Sequence, residues 1–197
     1  MLCIDVIAKI HQKDMNPKVS VFIATSLDGF IARKNGELDW LNDANSTVPE
    51  GEDCGYRAFM DSIDTLIMGR KTYEQVLSFG EWPYGETPVI VMSRNSIAFP
   101  ANIPNTVTHS SETPRVLSDR LSAAGAKHLY VDGGVTIQRF LREGLIDELT
   151  ITVIPIILGE GIPLFASIGK DVLLTHLGTK AYDFGFVQTR YSVIKDI

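Results

Sequence analysis

The sequence is poor in the features that mark metalloproteins, membrane proteins and nucleic-acid binders. Only two of its 197 residues are cysteine, Cys3 and Cys54. They form neither a CxxC pair nor a Cys/His ligand pattern, which excludes a structural zinc site. No apolar run approaches the ~20 residues that a membrane span needs. The net charge of −6 lacks the basic excess of a nucleic-acid surface. No GxGxxG segment is present, so a Rossmann dinucleotide site is not indicated. Repeats, low-complexity tracts and long linkers are also missing. The first sixteen residues intersperse Asp5, Lys9, His11, Lys13 and Asp14 among apolar ones, unlike the uninterrupted core of a signal peptide. Met15 offers an alternative start. Residues 1–17 therefore read as an N-terminal extension before one domain at 18–197, and a cytoplasmic location is expected.

What is present is a strand–helix alternation. With 45% hydrophobic and 21% charged residues, the chain is long enough to bury a full core. Lys18 to Thr25 (KVSVFIAT) reads as a first strand, closed by the Asp28-Gly29 turn signal. Tyr56, Phe59, Met60 and Ile63 fall at i, i+3, i+4, i+7 and predict a helix over Glu52 to Ser62. Two short apolar runs, Asp64 to Met68 and Pro88 to Met92, suit buried parallel strands, with a helix over Thr72 to Ser78 after the first. A helix opens at Thr113-Pro114 and ends before Gly125. A strand over Lys127 to Val131 and a helix over Thr136 to Glu143 follow, with Gly144 as C-terminal cap. From Asp147 onward, strands at Asp147 to Leu158, Val172 to Thr179 and Phe184 to Ile194 have no helix between them. The fold class is therefore α/β: a mixed sheet, mostly parallel, with an antiparallel C-terminal edge and flanking helices.

Three strand ends carry candidate chemistry. Gly69 permits close approach of a ligand to the backbone, Arg70 and Lys71 bring positive charge, and Thr72 is an N-cap or a phosphate donor. The same residues would also make a plain capped helix start with two solvated bases. In Asp132-Gly133-Gly134-Val135-Thr136-Ile137 the glycine pair can leave successive N–H groups open as an anion nest, or form a simple tight turn. Ser93 and Arg94 end the PVIVM strand and would lie beside Arg70 if the two strands are neighbours. Together these junctions place bases and glycines at the C-terminal ends of parallel strands, where open α/β sheets bind ligands.

These segments resemble a known family. MGRKTYE is similar to the dihydrofolate reductase segment that holds the adenosine end of NADPH, and VDGGVTIQRFL to that family's glycine pair and pyrophosphate-binding helix. Ala24, Asp28, Ile31 and Trp40 match the spacing of its first strand and the loop over the nicotinamide. Gly144 to Leu149 (GLIDEL) and Pro155 to Phe165 (PIILGEGIPLF) are more similar to the reductase domain of riboflavin biosynthesis, the RibD C-terminal domain. The resemblance covers residues 18–194. The zinc deaminase signature H-x-E…P-C-x-x-C of bifunctional RibD proteins is absent, so deamination is not expected.

The resemblance implies a dihydrofolate-reductase-like fold and an NADPH-dependent reductase acting on a small heterocyclic substrate, with pyrimidine-ribose reduction ahead of folate or pterin reduction. A non-catalytic NADP-binding sensor remains the alternative. It implies that Ala24 and Ile31 hold the carboxamide. Gly133, Gly134, Val135, Thr136 and Ile137 would cradle the pyrophosphate, and Gly69, Arg70, Lys71, Thr72, Ser93 and Arg94 would take the adenosine phosphates. Asp53 is the candidate substrate-contacting acid and Asp28 the second, although a turn role explains Asp28 as well. Trp40 would flank the substrate ring or anchor the core. No metal is expected, the Gly133-Gly134 peptide should be cis, and a homodimer should cover an open edge at Phe184 to Ile194.

Overall fold

The computed structural model describes residues 16–195. Cys3 and most of the extension at 1–17 lie outside them. The strands are β1 (Lys18–Ser26), β2 (Phe30–Ala32), β3 (Thr65–Gly69), β4 (Val89–Met92), β5 (Val107–Ser110), β6 (His128–Asp132), β7 (Glu148–Ile154), β8 (Ile162–Pro163), β9 (Leu174–Ala181) and β10 (Val187–Val193). The helices are α1 (Asp39–Asn45), α2 (Tyr56–Met60), α3 (Arg70–Leu77), α4 (Pro114–Ala123) and α5 (Gly134–Arg142). Eight strands form one sheet in the order β5-β4-β3-β6-β1-β7-β10-β9, and β2 pairs with β8 apart from it. The six strands from β5 to β7 run parallel, and β10 is antiparallel to both β7 and β9. Among the described residues no helix is long and apolar enough to cross a membrane.

The apolar runs are central because both sheet faces over them are covered. On one face Leu117, Leu121, Ile137, Phe140 and Leu141 of α4 and α5 pack on Val19, Val21, Ile67, Leu129, Val131 and Leu149. On the other, Leu66, Met68, Val89, Val91 and Tyr130 meet Tyr73 of α3 and Tyr56, Phe59 and Met60 of α2. Thr113 caps α4 by accepting from the Val116 N–H, with Pro114 at the first helical position as expected.

Several boundaries differ from the sequence reading. The helix expected over residues 52–62 shrinks to Tyr56–Met60 because Cys54 (φ 55) and Gly55 (φ 81) adopt left-handed conformations that a helix cannot include. α3 and α5 each begin two residues earlier than predicted, directly on Gly69 and Gly133. Helix α1 had no signal strong enough to be seen, since its seven residues bury only Trp40. Phe184 to Ile194 is also not the open edge. β10 lies between β7 and β9, because the chain reverses at Tyr182–Phe186 and folds β9 and β10 into a hairpin, with Gly185 at φ 97. The exposed edge is β9.

Candidate active site

The β3–α3 and β6–α5 junctions interlock. β3 and β6 are neighbours in register, Met68 opposite Asp132, so their glycines leave the sheet side by side. A Cβ at Gly69 would lie 2.7 Å from the Thr136 hydroxyl, and one at Gly133 would run into the Thr72 hydroxyl. Each glycine thus makes room for the threonine of the other helix. Neither helix start has a side-chain cap, which leaves first-turn N–H groups aimed outward. The expected cis bond is absent, because every peptide among the described residues is trans. The chain turns through Gly133 instead, at φ 87 and ψ 133, a conformation open to glycine alone.

β4 brings the third junction alongside, with Met92 opposite Gly69. Ser93 follows, held by its N–H donating to the Ser110 carbonyl at 3.0 Å, while its hydroxyl accepts from the Asn95 N–H. Lys71 and Arg94 are exposed and make no ion pair among the described residues. Arg70 is also exposed, but its Nε donates to Glu74 Oε1 at 2.7 Å. On the far side Ile31 meets Gly134, where a Cβ would come within 3.0 Å of its Cδ1. Val135, at the start of α5, is 65% exposed and Thr136 and Ile137 are buried.

Beside these junctions the sheet splits. β1 pairs with β7 as far as Ser26, but with β6 only over Lys18–Ser20. The Tyr130 hydroxyl fills part of the gap by donating to the Phe22 carbonyl at 2.8 Å. Ala24, two residues on along the same edge, has no strand opposite it on that side, so its backbone is available to a ligand. Next to Ala24 lies a cavity of about 580 Å³, walled by Phe22, Leu41, Val48, Tyr56, Ile154 and Phe186, with Asp53 at its rim. Gln188 holds the rim loop on the sheet through its amide, which donates to the Cys54 carbonyl (2.9 Å) and to Thr152 Oγ1 (3.0 Å).

The two carboxylates singled out from the sequence are both committed acceptors. Asp53 accepts from the N–H groups of Arg57 and Gly55, which hold it below the usual carboxylate range. Asp28 accepts from Ser26 Oγ at 2.6 Å and from the N–H groups of Leu158 and Gly159. The Ser26 bond leads in lowering its pKa, and the geometry is that of a turn anchor. Trp40 is 2% exposed, packs with Ile154, Tyr182 and Phe186, and does not line the cavity. That is a core position, because α1 turns the indole inward. No group of His, Cys, Asp or Glu with metal-binding geometry occurs among the described residues.

Comparison with known proteins decides the family: its RibD C-terminal domain profile matches residues 17–187. The chain belongs to the RibD C-terminal domain family. It is 36% identical to the uncharacterised protein YwjB of Bacillus subtilis (strain 168), over 85% of this chain and 94% of that one. A crystallised protein of Shewanella sp. PV-4, assigned to riboflavin biosynthesis, superposes with a TM-score of 0.84 at 41% identity, covering 90% of this chain and 99% of the other. The riboflavin biosynthesis protein RibD of Corynebacterium ammoniagenes is 25% identical over 76% of this chain, which spans 46% of that protein. Membership of this reductase-domain family fits the junctions and the split sheet.

The sequence reading assigned no role to Asp132, which stands at the β6–α5 junction. It ends β6 directly before the glycine pair and uses its carboxylate to accept the Gly133 N–H at 2.7 Å. Burial pushes its pKa up to about 6, against the smaller opposing effect of that bond. Its charge is felt by Tyr56 on the cavity wall and by Tyr84 and Tyr130, all three raised chiefly by burial, Tyr56 to about 12. The available signal was an acid at the end of a buried apolar strand (HLYVD), facing the split. Such a residue must hold a proton or pay for its charge, and acids of this kind concentrate at functional sites.

Proposed function

We propose that this protein is a cytoplasmic, homodimeric, NADPH-dependent reductase that transfers hydride to a C=N or C=O carbon of a small heterocyclic substrate. Its nearest reaction type is that of the pyrimidine reductases of riboflavin biosynthesis. The observation that carries the reading is the interlock of Gly69 with Thr136 and of Gly133 with Thr72, beside a split sheet that opens on a cavity. A dinucleotide fits this arrangement. The uncapped start of α5 offers the N–H groups of Gly134, Val135 and Thr136 to its pyrophosphate, with Gly133 and Ile137 completing the turn that cradles it. Gly69, Arg70, Lys71, Thr72, Ser93 and Arg94 form the basic end for the adenosine phosphates, and the open backbone of Ala24, with Ile31, suits the carboxamide.

The bound nicotinamide would supply the hydride, and the chain supplies position and a proton. Of Asp28, Asp53 and Asp132, only Asp132 has its pKa raised, to about 6, which suits it to donate a proton to the reduced product below that pH. Asp53 is better placed as an ionised acceptor for a substrate N–H at the rim.

The test is calorimetric titration with NADPH and NADH on wild type and Arg70→Ala. Arginine can donate two parallel hydrogen bonds to a phosphate, and a bond to a charged group contributes ~1.5–3 kcal/mol. The variant should lose roughly 10–150-fold in NADPH affinity and keep its NADH affinity. Equal loss of both cofactors would mean that Arg70 supports the helix, through Glu74, rather than the 2′-phosphate.

A further inference from the structure

We infer that the substrate of this cavity is a neutral or cationic planar ring that carries no phosphate, an inference that rests on the cavity being the substrate site of the proposed reductase. The two ends of the site differ in charge. The strand-end junctions present Arg70, Lys71 and Arg94, whereas the cavity presents only Glu52 and Asp53. Among the described residues no Lys, Arg or His lines it. Asp53 is ionised across the neutral range, since the Arg57 and Gly55 N–H groups stabilise its charged form. Glu52 accepts the Cys54 N–H at 2.7 Å.

Beyond the lining, the exposed Arg57 acts on Asp53 by its charge, and Lys180 is already engaged. Lys180 Nζ lies 3.7 Å from Glu52 Oε2 and 4.1 Å above the Tyr182 ring. A phosphate carrying −1.5 to −2 charges needs Arg, Lys or free N–H groups around it, and here would face a carboxylate instead. The apolar walls intensify that repulsion, because they lower the local dielectric. The same walls favour a flat ring. Phe22 and Tyr56 meet edge to face at 5.7 Å, and Asn45 and Thr152 add polar groups for a ring's amide edges. A volume of about 580 Å³ is ample for a heterocycle with a sugar attached.

The experiment titrates two matched pairs into NADP⁺-saturated protein: 5-amino-6-(ribosylamino)uracil with its 5′-phosphate, and riboflavin with flavin mononucleotide. At least one unphosphorylated member should bind, with its phosphate at least about tenfold weaker. Equal or tighter binding of a phosphate overturns the inference, and so does failure of both unphosphorylated rings. The double variant Glu52→Gln, Asp53→Asn keeps acceptor oxygens for the loop and removes both charges. It should narrow the gap within the binding pair to under about threefold; an unchanged gap overturns the role of the carboxylates. NADPH titration of the same samples separates the two readings. Loss of cofactor binding sinks the reductase proposal, whereas intact cofactor binding with a preference for phosphate sinks only the present one.

Discussion

At the residue scale the centre of interest is Asp132, half-buried at the end of β6, whose charge acts on three tyrosines. A proton donor with a pKa of about 6 is active below that value. We therefore expect kcat/KM to fall about tenfold per pH unit above it. Asp132→Asn should remove that dependence along with most of the activity. Asp28→Asn and Asp53→Asn should leave it in place, since both groups already titrate below the usual range. A pH–rate series on the three variants checks this. The same shift has a consequence for stability. The folded state binds the Asp132 proton more tightly than the unfolded chain, so stability drops as pH rises from about 4 to about 6 and stays lower above it. Asp132→Asn should thus be more stable than wild type at pH 7.5, by about 1–3 kcal/mol, and nearly equal to it at pH 4. Urea unfolding at the two pH values decides it; a variant less stable at pH 7.5 would mean that the charged form is paid for elsewhere in the fold.

At the element scale the site depends on two strand-to-helix turns that fit each other. Gly69 has φ −82, an ordinary conformation, so its glycine is required by the contact with Thr136 and not by the backbone. Gly69→Ala should cost about 1–3 kcal/mol by overpacking. In a Thr136→Ala background the hydroxyl at 2.7 Å is gone, and the same substitution should cost less than about 0.5 kcal/mol. Gly133 differs, since its φ of 87 strains any side chain whatever the space. Gly133→Ala should remain destabilising even with Thr72→Ala beside it. Thermal unfolding of the two double-mutant cycles distinguishes a contact requirement at Gly69 from a backbone requirement at Gly133.

At the scale of the whole molecule the sheet has two edge strands, β5 and β9, of which β9 is the more exposed. β9 is exposed along nearly its whole length, and Leu173, Leu174 and Leu177 are 61%, 40% and 48% exposed. An edge of eight residues with unpaired backbone groups and exposed leucines is a surface that natural proteins cover. A second copy related by a two-fold axis is the commonest cover. Light scattering at micromolar concentration should therefore give the dimer mass. Leu174→Lys with Leu177→Lys should give the monomer, with its circular dichroism unchanged because both side chains are solvent-facing in the single chain. A wild-type monomer would refute the assembly.

The fold class was legible in the sequence alone, as a mostly parallel sheet with an antiparallel C-terminal edge. Runs such as TLIM, VIVM and HLYV are short, apolar and rich in β-branched or aromatic residues, which favours strands, and each forms one. The order of the strongly patterned elements was legible too, since local periodicity is a property of neighbours in the chain, whereas the short α1, β2, β5 and β8 were not. The tertiary structure decided what depends on residues far apart. Asp28 accepts from the N–H groups of Leu158 and Gly159, which come from 130 and 131 residues away and which its place in the chain does not reveal. Trp40 went to the core because Ile154, Tyr182 and Phe186 converge on it. Asp132 has its pKa raised to about 6 by the desolvation it meets at the end of β6, where Met68 of β3 lies opposite it. A pKa, a cavity's charge and an open sheet edge are sums over spatial neighbours, and no local stretch of sequence contains those sums.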